Sequence, residues 1–115
     1  MNLKGWPSYS GYKMEIKLRN NTWKVVKTDL GPSVRGEIDP PTYVNKSLKI
    51  STRLRKSQEI LEVFIHECLH GCFWDIDEEA IETAAFDISK ALYKLGARLN
   101  VDEVTKKAKK KPKRK

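Results

Sequence analysis

The hydrophobic positions of this chain change their period once, about half-way along. Residues 12–18 alternate, with Tyr12, Met14, Ile16 and Leu18 on one side and Lys13, Glu15 and Lys17 on the other. A period of two is that of a half-buried strand. Arg19-Asn20-Asn21-Thr22 supplies turn chemistry, since Asn tolerates positive φ, and Trp23-Lys24-Val25-Val26-Lys27 returns as the second strand of a hairpin. Gly31-Pro32 closes that region. Residues 34–39 read as a short third strand stopped by Pro40-Pro41. Residues 47–51 read as a fourth, with Leu48 and Ile50 facing inward.

From Ser57 the period becomes helical. Ser57 is the expected cap, and Glu59 suits the positive end of the helix dipole. Ile60, Leu61, Phe64, Ile65, Cys68 and Leu69 give this helix a broad apolar side, and Gly71 lies near its natural end. Asp77 is the expected cap of a second helix with an acidic first turn, Glu78-Glu79. Ile81, Ala84, Ala85, Ile88, Ala91, Leu92 and Leu95 form its stripe, and Gly96 stands where a C′ glycine belongs. The short link between the helices implies an antiparallel or steeply crossed pair. The expected fold is therefore α+β: a small twisted, mainly antiparallel sheet of three to four strands, followed by two packed helices.

Composition refines this picture. At 115 residues the chain makes one domain, expected over residues 12–100 between an N-terminal arm (1–11) and a basic tail (101–115). The net charge is +8, and it is unevenly spread. Residues 1–56 carry twelve basic and four acidic side chains, and residues 57–105 carry three and eleven. Within the tail, residues 106–115 hold Lys106, Lys107, Lys109, Lys110, Lys111, Lys113, Arg114 and Lys115 and no acid. Such a run resembles a nucleic-acid-binding or nuclear-import segment, or serves as a solubilising terminus; alone it is expected to be disordered. No signal-peptide pattern opens the chain, and no apolar run approaches the ~20 residues that span a bilayer. A cytoplasmic monomer with no membrane partner is expected. Cys68 and Cys72, one turn apart, suit reduced thiols better than a disulfide or a zinc pair, because Cys68 lies about 200° round the helix from His66.

The chemistry concentrates in Ile65-His66-Glu67-Cys68-Leu69-His70. It reads H-E-x-x-H and contains the only two histidines of the chain. On a helix, residues four apart share a face, so both imidazoles can reach one metal ion while Glu67 leans to the side where water would bind. A catalytic zinc of this kind needs a third protein ligand. With no third histidine, that ligand is a carboxylate, and the second helix offers Glu78, Glu79 and Glu82. Glu78 lies nearest the apolar stripe, roughly 60° from Ile81. Glu79 lies on the opposite flank, yet first-turn residues can splay, so one of these two is expected. Glu82 points further toward solvent. Asp75 and Asp77 read as link and cap residues, and Asp87 can orient a side chain of the first helix.

The strand, the string 61–70 around H-E-x-x-H and the acidic helix start that follows resemble the small zincin-type metallopeptidase-like proteins of phages and bacteria, the compact gluzincins. Gly36-Glu37-Ile38-Asp39-Pro40-Pro41 and the end of the second helix add to the likeness, which covers roughly residues 12–99. It implies a Zn²⁺-dependent endopeptidase, with His66 and His70 as ligands, Glu67 as general base and Glu78 or Glu79 as third ligand. It further implies a sheet edge beside the first helix that pairs with an extended peptide. Tyr43 and Arg53 are candidates for stabilising an oxyanion. The basic tail resembles that of SprT-like proteins, which work on DNA-bound substrates. The contrasting expectation is a catalytically silent, metal-stabilised binding module, associated with nucleic acid through its tail.

Overall fold

The computed structural model describes residues 14–99. The expected arm (1–11), Tyr12 and Lys13, and the basic tail (101–115) lie outside the described residues. Four strands precede two helices: β1 (Met14–Leu18), β2 (Asn21–Thr28), β3 (Gly36–Ile38), β4 (Ser47–Ser51), α1 (Ser57–Cys72) and α2 (Glu78–Lys94). This is the expected α+β order. Among the described residues, no helix is long and apolar enough to cross a membrane.

β1 and β2 form an antiparallel hairpin with Leu18 opposite Asn21, so the turn is only Arg19-Asn20. Both turn residues have positive φ, 49° and 70°, the left-handed pair that matches the twist of a two-residue hairpin loop. Sheet order is β1-β2-β4-β3. The outer pairs are antiparallel, whereas β2 and β4 run parallel, with Val25 opposite Leu48. One parallel pair in the middle arises because the connection after β2 carries β3 to the far side of β4. β3 is consequently a sheet edge, and it spans three residues of the six expected at 34–39.

α1 packs across one face of this sheet. Trp23, Leu48 and Ile50 have no exposed surface and meet Leu54, Ile60 and Val63 in the central cluster. The Trp23 indole N–H donates to Asp39 O at 3.0 Å, and the Asp39 carboxylate accepts from Ser47 N at 2.9 Å. The largest core side chain thereby fixes the end of β3 against the start of β4. Gly71 does lie near the end of α1, one residue before Cys72, and it has a packing role as well: a Cβ there would stand 3.0 Å from both Ile38 Cδ1 and Leu18 Cδ1, so glycine lets α1 approach the sheet.

Two helix expectations need correction. The N-cap of α1 is Lys56, with no side-chain cap hydrogen bond, and Ser57 is already helical. The buried face of α2 is narrower than its apolar stripe. Ile81, Ala85 and Ser89 are buried, but Ile88, Leu92 and Leu95 are 41%, 38% and 83% exposed, and Ala91 is exposed. The buried residues follow an i, i+4 line through Ile81, Ala85 and Ser89, with Tyr93 half-buried, so the covered face is rotated away from Ile88, Ala91, Leu92 and Leu95. Asp77 does cap α2, accepting from Ala80 N at 2.8 Å. At the other end Gly96, with φ 100°, donates to Tyr93 O while Ala97 donates to Leu92 O. That double bond closes the helix as a Schellman motif.

Candidate metal centre

The helical spacing of His66 and His70 puts both rings on the side of α1 that faces α2. Asp77 fixes where α2 begins, so Glu78, its first residue, projects back toward them. The result is a tight triad. Glu78 Oε2 lies 3.0 Å from His66 Nε2, Glu78 Oε1 lies 2.8 Å from His70 Nε2, and the two ring nitrogens are 3.2 Å apart. Both imidazoles are largely buried, whereas Glu78 reaches in from an exposed helix start. These three residues form the group that could hold a metal ion among the described residues.

The donor set fits such an ion. Two imidazole nitrogens, which are borderline donors, and one hard carboxylate oxygen together suit a first-row divalent cation. At bond lengths of about 2.1 Å a tetrahedral centre keeps its ligand atoms about 3.4 Å apart. The observed 2.8–3.2 Å needs only a few tenths of an ångström of expansion. Glu79 is exposed and is not part of the triad, and Glu82 lines the neighbouring cleft without joining it. Of the two glutamates left open by the acidic helix start, Glu78 is the one that stands beside both histidines.

Glu67 stands one residue round the helix, turned toward β3 rather than α2. It is only 7% exposed. Burial pushes its carboxyl up to about 7, the Glu78 and Glu37 carboxylates add to that, and the Arg35 guanidinium opposes it. β3 comes unusually close: a Cβ on Gly36 would lie 2.6 Å from Val63 Cγ1 and 3.2 Å from Glu67 Oε2. Only glycine permits that approach, and a glycine inside a strand was the available sequence signal for it. Arg35 N–H groups reach Glu59 of α1 at 3.1 Å, and Arg35 lines an open cleft of about 260 Å³ with His66, Glu67 and Glu78. On the other side a second open cleft is bounded by Ile38, His70 and Trp74. The Trp74 ring meets His70 edge-on, with centroids 6.5 Å apart.

The two expected oxyanion candidates are elsewhere. Arg53 is held by Asp29 through contacts of 2.7 and 3.3 Å, and Tyr43 is exposed on the connection between β3 and β4. Neither lines a cleft beside the triad. Arg35, which sequence reasoning passed over, is the one Lys or Arg lining them among the described residues. Asp87 is exposed on α2. Cys68 and Cys72 are free and half-buried, and burial pushes the Cys68 thiol up to about 12, which keeps it protonated and away from metal chemistry.

No family model, curated protein or solved structure matches this chain. The zincin likeness accordingly rests on the chain's own residues.

Proposed function

We propose that the protein is a zinc-dependent peptidase acting on an extended peptide laid along β3. The observation that carries this reading is the pairing of a three-ligand triad with a buried, non-ligating carboxylate, Glu67, on the flank next to a sheet edge. A purely structural site has no need of that carboxylate. When bound to the triad, zinc would lower the pKa of a coordinated water toward about 7 and polarise the scissile carbonyl.

The remaining work falls to the chain's own side chains. Glu67 accepts the proton as water adds to the carbonyl carbon, and returns it to the amine as the C–N bond breaks. Arg35 offers a cation to the oxygen that gains charge, a contribution its position in the cleft allows. Glu37 pairs with Lys49 across the antiparallel ladder. Its own N–H and C=O therefore face β4, and those of Gly36 and Ile38 face away. Two residues of free edge beside Glu67 are the groups a substrate backbone would pair with, as in other strand-addition complexes.

The test is metal content and turnover together. About one zinc per chain is expected in wild type and Glu67→Gln, and little in His70→Ala or Glu78→Ala. Hydrolysis of an unstructured protein mixture is expected in wild type only. Full zinc in wild type with no hydrolysis leaves a metal-stabilised binding module. Absence of zinc from all four folded proteins would falsify the metal reading altogether.

A further inference from the structure

Three depressions follow one another along β3. The first two share Gly36, His66, Glu67 and Glu78 and flank the triad. The third, about 500 Å³, adjoins the second at Trp74 and lies past the end of α1. Its walls come from the last two residues of α1, Gly71 and Cys72, and from parts of the fold outside the metal centre: Arg19 and Asn21 of the hairpin, Pro41 after β3, and residues 73–76 of the link between the helices.

This third pocket is of mixed character, combining the polar side chains of Arg19, Asn21 and Asp75 with an apolar cluster, and its frame is fixed. Phe73, Trp74 and Ile76 are 46%, 43% and 46% exposed. Three large apolar side chains within four residues, gathered in one concavity, are what a recognition pocket presents. The frame is braced by Arg19, which donates to Cys72 O at 2.9 Å and lies over the Phe73 ring at 5.9 Å. Arg19 keeps its positive φ of 49° there, an uncommon backbone for a residue with a side chain.

We infer that this pocket receives a large apolar side chain, aromatic or leucine-like, of the peptide substrate. The inference rests on the peptidase reading of the cleft and deepens it. β3 runs from Gly36 past Ile38 toward Pro41, so a strand added to its edge that extends beyond Ile38 passes Trp74 and enters the pocket. Alternate side chains of an added strand point the same way at intervals of about 7 Å. One side chain beside the triad therefore sends the next on its face toward the pocket. Specificity then comes from the hairpin and the link, and not from the metal ligands.

The experiment uses full-length, zinc-loaded Glu67→Gln protein, titrated by fluorescence anisotropy with octapeptides. The peptides differ at one residue, Phe, Leu, Ala or Lys, moved through successive positions. At one register Phe and Leu are expected to bind about tenfold or more tighter than Ala. Ile76→Ala is expected to reduce that ratio severalfold while leaving the Ala peptide's affinity unchanged, and Phe73→Ala to do the same. A ratio near one at every register overturns the pocket assignment, and so does a ratio that both variants leave intact; peptide binding itself then still stands. Failure of every peptide to bind, with zinc loaded, removes the peptidase reading and the pocket with it.

Discussion

At the scale of single residues, Glu67 sets the strongest expectation. Its carboxyl is raised from its ordinary 4.5 to about 7 in the folded protein, chiefly by burial. A group raised on folding binds its proton more tightly in the native state. Its contribution is therefore fully present below about pH 4.5 and lost as pH climbs through about 7. For metal-free protein, the stability difference between wild type and Glu67→Gln should move by up to about 3 kcal/mol across that window, with wild type losing ground as pH rises. Urea titrations of both proteins in chelator, from pH 4.5 to 8, measure it; a flat difference would contradict the burial argument. A divalent cation at the triad favours the charged carboxylate, so added zinc should flatten the same slope. Glu67 also shows what was legible. H-E-x-x-H announced itself in the sequence, but the burial that tunes Glu67 depends on Gly36, thirty-one positions away, and no local pattern carries that.

At the scale of elements, α2 does two jobs with its first turn. Asp77 caps the helix and Glu78 reaches the histidines. Asp77→Ala should cost roughly 1 kcal/mol of stability, and should weaken zinc binding as well, because a frayed first turn no longer holds Glu78 beside the histidines. Denaturation and competition against a chromophoric chelator read the two effects separately. Further along the same helix, Ile81→Ala should cost about 2–5 kcal/mol. Leu95→Ser should stay within about 0.5 kcal/mol of wild type, although both residues belong to one stripe. Periodicity shows which residues share a face. It does not show which line of that face the rest of the fold covers, and here the line is Ile81, Ala85 and Ser89 rather than the centre of the stripe. The choice between Glu78 and Glu79 had a similar limit, because angles on an ideal helix narrow the candidates while only the entry direction of the chain selects one. The cap of α1 was misread because a serine at a helix start serves equally well as first helical residue.

At the scale of the molecule, the two halves of the site have different origins. His66, His70 and Glu78 all lie within the helix pair, whereas the cleft requires β3 to be seated against Val63 and Glu67. Gly36→Val should therefore retain zinc at about one per chain yet lose peptide hydrolysis, with a stability loss of about 1–3 kcal/mol from crowding. Loss of zinc from that variant while it remains folded would show that the halves are not separable. The number of strands and their order along the chain were readable from alternation and turn residues. The parallel β2–β4 pair was not, since where a connection crosses a sheet is decided by the packing of the whole chain.

The same sheet order has a kinetic side. The β1–β2 hairpin and the α1–α2 pair join residues close in sequence, whereas aligning β2 with β4 closes a loop that includes all of β3. Closure entropy makes such non-local contacts slow to form. A refolding chain can thus bring His66, His70 and Glu78 together while its sheet is still incomplete. Metal capture at that triad would then mark an early species, ahead of the β2–β4 alignment that completes the sheet.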